Sequence, residues 1–190
     1  MNKSKFFFFT NTLNEVKKNN ILKFKNISII YKPEKQESKN LTQIEEIKKF
    51  CKNNKILLYI IDDYKLMSKH NSNGIFLSST NRNLIKPMQL KKNISIIGSA
   101  HNMIEYQIKN KQNCEQIMLS PLFYSKKYSN NKILGIVKFN LISLNWKIKI
   151  CALGGINLNN IKKIKMCKAY SIAFISLIND PKIKKPVYCF

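Results

Sequence analysis

Short and nearly continuous apolar runs recur along the chain, separated by polar or helically spaced segments. Eight runs read as strands: Phe6–Thr10, Ile27–Tyr31, Ile56–Ile61, Gly74–Leu77, Ile94–Ile97, Gln116–Phe123, Ile148–Leu153 and Ile172–Ile178. Most lack a strict apolar–polar alternation, the mark of strands covered on both faces, as in a parallel sheet. Helices are expected between them at Leu13–Asn20, Leu41–Lys52, Tyr64–His70 and Asn102–Lys109. In the second of these Leu41, Ile44, Ile47 and Phe50 recur at helical spacing. A basic amphipathic segment between Gly155 and Ile172 reads as one more helix. Eight βα units predict an α/β fold, a single compact (β/α)8 TIM barrel over residues 1–190, with a doubly wound open sheet as the alternative. Lys126–Asn131 reads as a mobile polar loop. The tail from Asn179 to Phe190, with two prolines, reads as irregular, Val187 to Phe190 packing back on the body.

Charge changes the picture less than its size suggests. The formal net charge is +24 over 190 residues, which first points to nucleic acid or an acidic membrane. Arg82 is the only arginine, however, and base and phosphate readers rely on guanidinium forks. Lysine, asparagine and isoleucine are abundant in loops and core runs alike, so the charge reads as a compositional bias. No nucleic-acid and no membrane partner is expected. The apolar run Phe6–Phe9 is too short for a signal peptide or a span and reads as a first buried strand. The five cysteines, Cys51, Cys114, Cys151, Cys167 and Cys189, are odd in number and without CxxC spacing. They suggest a reducing cytoplasm rather than a disulfide framework or a zinc site.

In a barrel, chemistry gathers at the carboxyl ends of the strands. Those ends carry Lys32 and Lys35, Asp62 and Asp63, Ser78 to Asn81, Ser99 and His101, then Ser120, Ser125, Lys126 and Lys127, then Gly154-Gly155 and Ser176. Only ten acidic residues occur, yet two sit together where the third strand ends. Asp62 and Asp63 could hold Mg²⁺ through one or two oxygens, or cap the helix that follows. The glycine pair could admit a ligand to the backbone, and a helix starting just after it would favour an anion. His101 could donate a hydrogen bond or carry a proton; no acidic or cysteine neighbour suggests a triad. Lys126 and Lys127 could close over a diphosphate as point charges.

Taken in order, these segments resemble the thiamine phosphate synthases and the related TenI proteins. The resemblance rests on LLYIIDD, NGIFLSST, IIGSAHNMIE, MLSPLFYSKKYSNNKILG, ICALGGI and YSIAFISLI, across roughly Ile27–Ile178. It implies a (β/α)8 barrel that joins hydroxymethylpyrimidine diphosphate to thiazole phosphate and releases pyrophosphate. Mg²⁺ would neutralise the leaving diphosphate while the thiazole nitrogen attacks a cation-like pyrimidine, so positioning and charge stabilisation suffice. By the same resemblance Asp62, with Asp63 as a one-residue alternative, matches the metal-binding aspartate, and Ser99 faces the diphosphate. Gly155, Ile175 and Ser176 match the cup for the thiazole phosphate, with Gly154 a further candidate beside them, Ser125 a threonine that contacts the thiazole, and His101 the family histidine.

Four positions depart from the family pattern. The second metal aspartate falls on Asn81. An Arg-x-Lys after the second strand becomes Lys32-Pro33-Glu34-Lys35. An asparagine before the strand-three aspartate falls on Ile61, and the loop lysine falls on Tyr128 with Lys127 beside it. The thiazole-phosphate end is thus better kept than the diphosphate–metal end. Two other readings stay open: a TenI-like thiazole tautomerase, although its histidine position holds Pro121, and a barrel that only binds phosphorylated thiazole or thiamine phosphate.

Overall fold

A computed structural model describes residues 5–33, 37–84, 94–125 and 132–183, with main chain only at 37–40. The strands are β1 Phe6–Thr10, β2 Ile27–Tyr31, β3 Leu57–Ile61, β4 Gly74–Leu77, β5 Ser95–Ala100, β6 Gln116–Leu119, β7 Lys149–Leu153 and β8 Ser171–Phe174. All pair in parallel and in chain order, and β8 returns to β1 through Phe6↔Ile172, Phe7↔Ala173 and Phe8↔Phe174. The sheet is a closed barrel with no free edge, so the open-sheet alternative is excluded.

The strand period of two sorts side chains into two cores. One set fills the barrel: Phe7, Ile30, Tyr59, Phe76, Ile97, Met118, Cys151 and Ala173, with Phe9, Ile61 and Leu153 partly buried above them. Phe7 meets Tyr59 edge to face at 5.9 Å and Phe9 meets Phe76 at 5.1 Å, an arrangement aromatic quadrupoles favour. The other set, including Phe6, Phe8, Ile29, Ile75 and Ile117, faces the outer helices. Strands buried on both sides explain why the runs read as continuous rather than alternating.

The helices are α1 Glu15–Ile21, α2 Glu37–Asn53, α3 Tyr64–Lys69, α4 Met103–Lys111 and α5 Gly135–Asn145. Asn14, Asp63 and Asn102 cap α1, α3 and α4 by accepting the N–H of Lys17, Leu66 and Glu105. Four expectations need correction. The segment after the glycine pair is not an α-helix but a 3₁₀ run over Ile161–Met166, following a turn closed by Asn157 and Asn160. β6 stops at Leu119, because Pro121 lacks the donor a ladder needs. β8 stops at Phe174, and Leu177–Asn179 forms a 3₁₀ turn that begins just after Ser176. α5 is an element the periodicity does not predict; Val137, Leu141 and Leu144 are exposed among its apolar residues, which blurs the pattern. The proposed loop Lys126–Asn131 and the segment Val187–Phe190 lie outside the described residues.

Candidate functional site at the carboxyl end of the barrel

The carboxyl end of β3 is built around Asp62. Its N–H continues the ladder to the Phe76 carbonyl at 2.9 Å, while its φ of 53° lies in the left-handed region. A non-glycine residue there is uncommon, and aspartate is among those that tolerate it best. Asp62 Oδ1 accepts the Ser78 N–H at 2.9 Å and Asn81 Nδ2 at 2.8 Å. Two donors from the loop after β4 therefore hold the carboxylate, and bonds to an ionised acceptor are the stronger kind. Its second oxygen takes no described hydrogen bond. The neighbouring Tyr64 hydroxyl is buried without a partner among the described residues; burial first, then the charge of Asp62, pushes its pKa upward.

Asp63 is committed differently: its Oδ1 accepts the Leu66 N–H at 2.8 Å and caps α3. Asn81 turns its amide N–H toward Asp62, while its Oδ1 accepts the Asn83 N–H at 3.0 Å. As placed, Asn81 orients the carboxylate; lending an oxygen to a cation would require its amide to turn over. Beneath it, Lys109 Nζ donates to the Asn81 carbonyl at 2.7 Å and to Gln112 Oε1 at 2.9 Å. Gln112 Nε2 reaches the Asn83 carbonyl at 2.9 Å, so α4 pins the loop after β4 from below.

At the end of β5, Ser99 is buried and pairs in register with Met118. Period two puts it on the barrel interior, above Ile97. His101 is exposed, and its Nδ1 lies 2.9 Å from Glu105 Oε2, which also accepts the His101 N–H at 2.7 Å. The sequence alone suggests no acidic neighbour; Glu105 becomes one because the Asn102 cap starts α4 and brings position i+4 back over the histidine. The pair fixes the ring and leaves Nε2 without a described hydrogen bond.

On the opposite side, Gly154 and Gly155 have φ of 97° and 69°. The space beside them belongs to the protein: a Cβ on Gly154 would lie 2.8 Å from Pro121 Cα, and one on Gly155 2.3 Å from the Phe123 carbonyl oxygen. The Phe123 N–H donates to the Gly154 carbonyl at 3.0 Å, which ties the loop after β6 to the loop after β7. These glycines thus let two loops close on each other, and no α-helix adds its positive end there. Ile175 is exposed, and with Ser176 it follows β8, which is paired to β7 through Leu153↔Ala173. Lys32 is exposed just beyond β2, its N–H donating to the Thr10 carbonyl at 2.9 Å. Ser125 is half-buried after β6. Lys35 and Lys127 lie outside the described residues.

Glu105, Lys109 and Gln112 are not singled out by the sequence. The spacing of His101 and Glu105 on a capped helix was a usable signal. Lys109 carried none, being lost among the many other lysines. Among the described residues no group of three or more His, Cys, Asp or Glu gathers to hold a metal. One fixed carboxylate with an unoccupied oxygen does fit Mg²⁺, which is often held by one or two carboxylates together with water and substrate phosphate.

These features define a closed parallel (β/α)8 barrel whose polar side chains converge on one mouth. The chain belongs to the thiamine monophosphate synthase family, whose profile matches residues 10–178. It is 30% identical over 171 residues to the thiamine-phosphate synthase of Pelagibacter ubique, covering 88% of this chain and 82% of that protein. It is 29% identical over 146 residues to a thiamine-phosphate synthase of Prochlorococcus marinus, covering 76% of this chain. It spans only 42% of the length of that relative. Its fold is similar to thiamine phosphate pyrophosphorylase from Pyrococcus furiosus, with a TM-score of 0.78 at 18% identity over 97% of this chain and 92% of that one. No described helix is long and apolar enough to cross a membrane.

Proposed function

We propose that this chain is a cytoplasmic thiamine-phosphate synthase. It joins hydroxymethylpyrimidine diphosphate to thiazole phosphate and releases pyrophosphate. The observation that carries the proposal is the Asp62 carboxylate, held at the barrel mouth by the Ser78 N–H and the Asn81 amide. Family membership supplies the reaction class, and the relatives it matches are named for this activity. In this reading Asp62 holds Mg²⁺, which supplies charge neutralisation for the leaving diphosphate; Asp63, capped on Leu66, is the weaker candidate.

Ser99, inside the barrel on β5, donates to the diphosphate. Lys32 adds positive charge from β2, and Lys35 and Lys127 are assigned to the same task by sequence alone. Asn81 acts on the carboxylate rather than on the metal. His101, oriented by Glu105, carries a proton at the rim. Ser125 contacts the thiazole. Backbone and hydroxyl groups at Gly154, Gly155, Ile175 and Ser176 receive the thiazole phosphate. Such a site works by alignment and electrostatics, which is sufficient for a displacement whose leaving group is already good.

The test is pyrophosphate release from purified protein given both substrates, with and without Mg²⁺. Release that requires both substrates and the metal is expected. Asp62→Asn should abolish it; normal turnover in Asp62→Asn with loss in Asp63→Asn would move the metal site by one residue. Ser176→Asp puts negative charge in the proposed phosphate cup, and thiazole phosphate affinity should drop by about tenfold or more while the fold persists. Unchanged affinity in that variant would remove the cup assignment.

A further inference from the structure

On a helix that packs against a barrel, inward positions are normally apolar. α4 instead buries Lys109 completely. The stem runs past Gly98, and the missing side chain there makes the room: a Cβ on Gly98 would lie 2.7 Å from Lys109 Cδ. The ammonium ends under the loop after β4, on the Asn81 carbonyl and Gln112 Oε1. Both described partners are neutral, and no ion pair to Lys109 occurs among the described residues. A buried ammonium without a paired carboxylate is costly. Burial lowers its pKa, and Cys114, Asp62 and Glu105 act in the opposite direction. Asn81 joins the two charges, with its carbonyl on Lys109 and its amide on the Asp62 carboxylate.

Taking Asp62 as the metal site proposed above, we propose that Lys109 is a fixed positive charge behind that carboxylate, which keeps a free divalent cation off it and admits the metal as its diphosphate complex. The charges around Asp62 support this. Asp63 is oriented onto the α3 cap and Glu105 onto His101, so among the described residues Asp62 is the carboxylate tied through Asn81 to the buried ammonium. A bare dication meets a nearly neutral pair in a chain of net charge +24. The complex of that dication with a diphosphate ester carries net negative charge and is attracted instead. Lys109 acts through Asp62 and Asn81 and is a positioning residue, not a catalytic one.

The experiment titrates Mn²⁺ into the full chain, with and without inorganic pyrophosphate, and measures protein-bound Mn²⁺ by equilibrium dialysis against the same Mn²⁺ and pyrophosphate concentrations. Wild type should take up Mn²⁺ only when pyrophosphate is present. Lys109→Gln keeps a donor for the Asn81 carbonyl but removes the charge, and it should bind Mn²⁺ alone about tenfold more tightly than wild type. Lys109→Met should do the same, with Lys109→Gln carrying the test if the methionine variant does not fold. Lys109→Arg should stay near wild type, and adding Asp62→Asn to Lys109→Gln should erase the gain. Equal affinities for free Mn²⁺ in wild type and Lys109→Gln would overturn the proposal. So would a gain that survives Asp62→Asn, or wild type that ignores Mn²⁺ even with pyrophosphate. If wild type releases pyrophosphate normally but the Mn²⁺ affinities are equal, this inference fails and the synthase reading stands. If Mn²⁺ behaves as described but no substrate turns over, the synthase reading fails alone.

Discussion

Cys51 and Cys114 show how burial sets the chemistry of a single side chain. Burial pushes each thiol from an ordinary 9.0 up to about 12. A thiolate is the reactive form, so both should be inert toward alkylating reagents near neutral pH. Cys151 is fully buried inside the barrel, and Cys167 is only half-buried. In a Cys189→Ser background, mass spectrometry should find Cys167 modified first and the other three protected until unfolding; early labelling of Cys51 would contradict the packing of α2. The same two thiols give a sign to alkaline stability. Between about 9 and about 12 the unfolded chain has released protons that the folded chain keeps. Their contribution therefore lowers stability as pH rises through that window and is neutral below it. Denaturant titrations of wild type and Cys51→Ala across that range check the slope, which should be shallower in the variant.

The turn after β7 makes the corresponding point for an element. A Gly-Gly pair in sequence suggests a close approach to the backbone, and on its Cα side the fold uses that room to seat the loop after β6. Gly155→Ala would add a Cβ to a residue at φ of 69°, only 2.3 Å from the Phe123 carbonyl oxygen. Both backbone strain and the clash oppose it, so a loss of about 2 kcal/mol or more is expected in a denaturant melt. An unchanged midpoint would mean that the two loops separate without cost. Gly98→Ala should be milder, because no positive φ adds strain there and its obstacles are side chains, the buried Lys109 stem at 2.7 Å and Cys114 Sγ at 2.9 Å. α5 escapes the periodicity for a related reason: its apolar residues point both into the core at Phe139 and outward at Val137. An amphipathic signal vanishes when both faces are apolar.

For the molecule as a whole, the charge of +24 concerns encounter rather than fold. Anionic substrates approaching a strongly cationic barrel should be captured faster at low ionic strength. In the pyrophosphate-release assay, kcat/KM should fall severalfold between about 20 mM and about 500 mM salt while kcat changes little. A flat kcat/KM would show that the lysines are spread too evenly to steer. With Arg82 alone among arginines, the excess reads as composition rather than as a set of guanidinium forks for phosphates.

The strands were readable because burial on both faces leaves local apolar runs of strand length, and β1, β2 and β4 begin and end where those runs do. The cap at Asp63 was readable because it acts on a residue only three positions away. The order of eight runs was enough to specify the barrel and, with its motifs, the family. What lay outside the sequence is non-local. The hold of Ser78 and Asn81 on Asp62 spans loops from neighbouring strands. The bond from Lys109 to the Asn81 carbonyl joins a helix to a loop 28 residues earlier, and one lysine among so many carries no mark of burial. Composition and periodicity register a residue's neighbours along the chain; which charge faces which carboxylate is decided only when the sheet closes and brings distant ends of strands to one mouth.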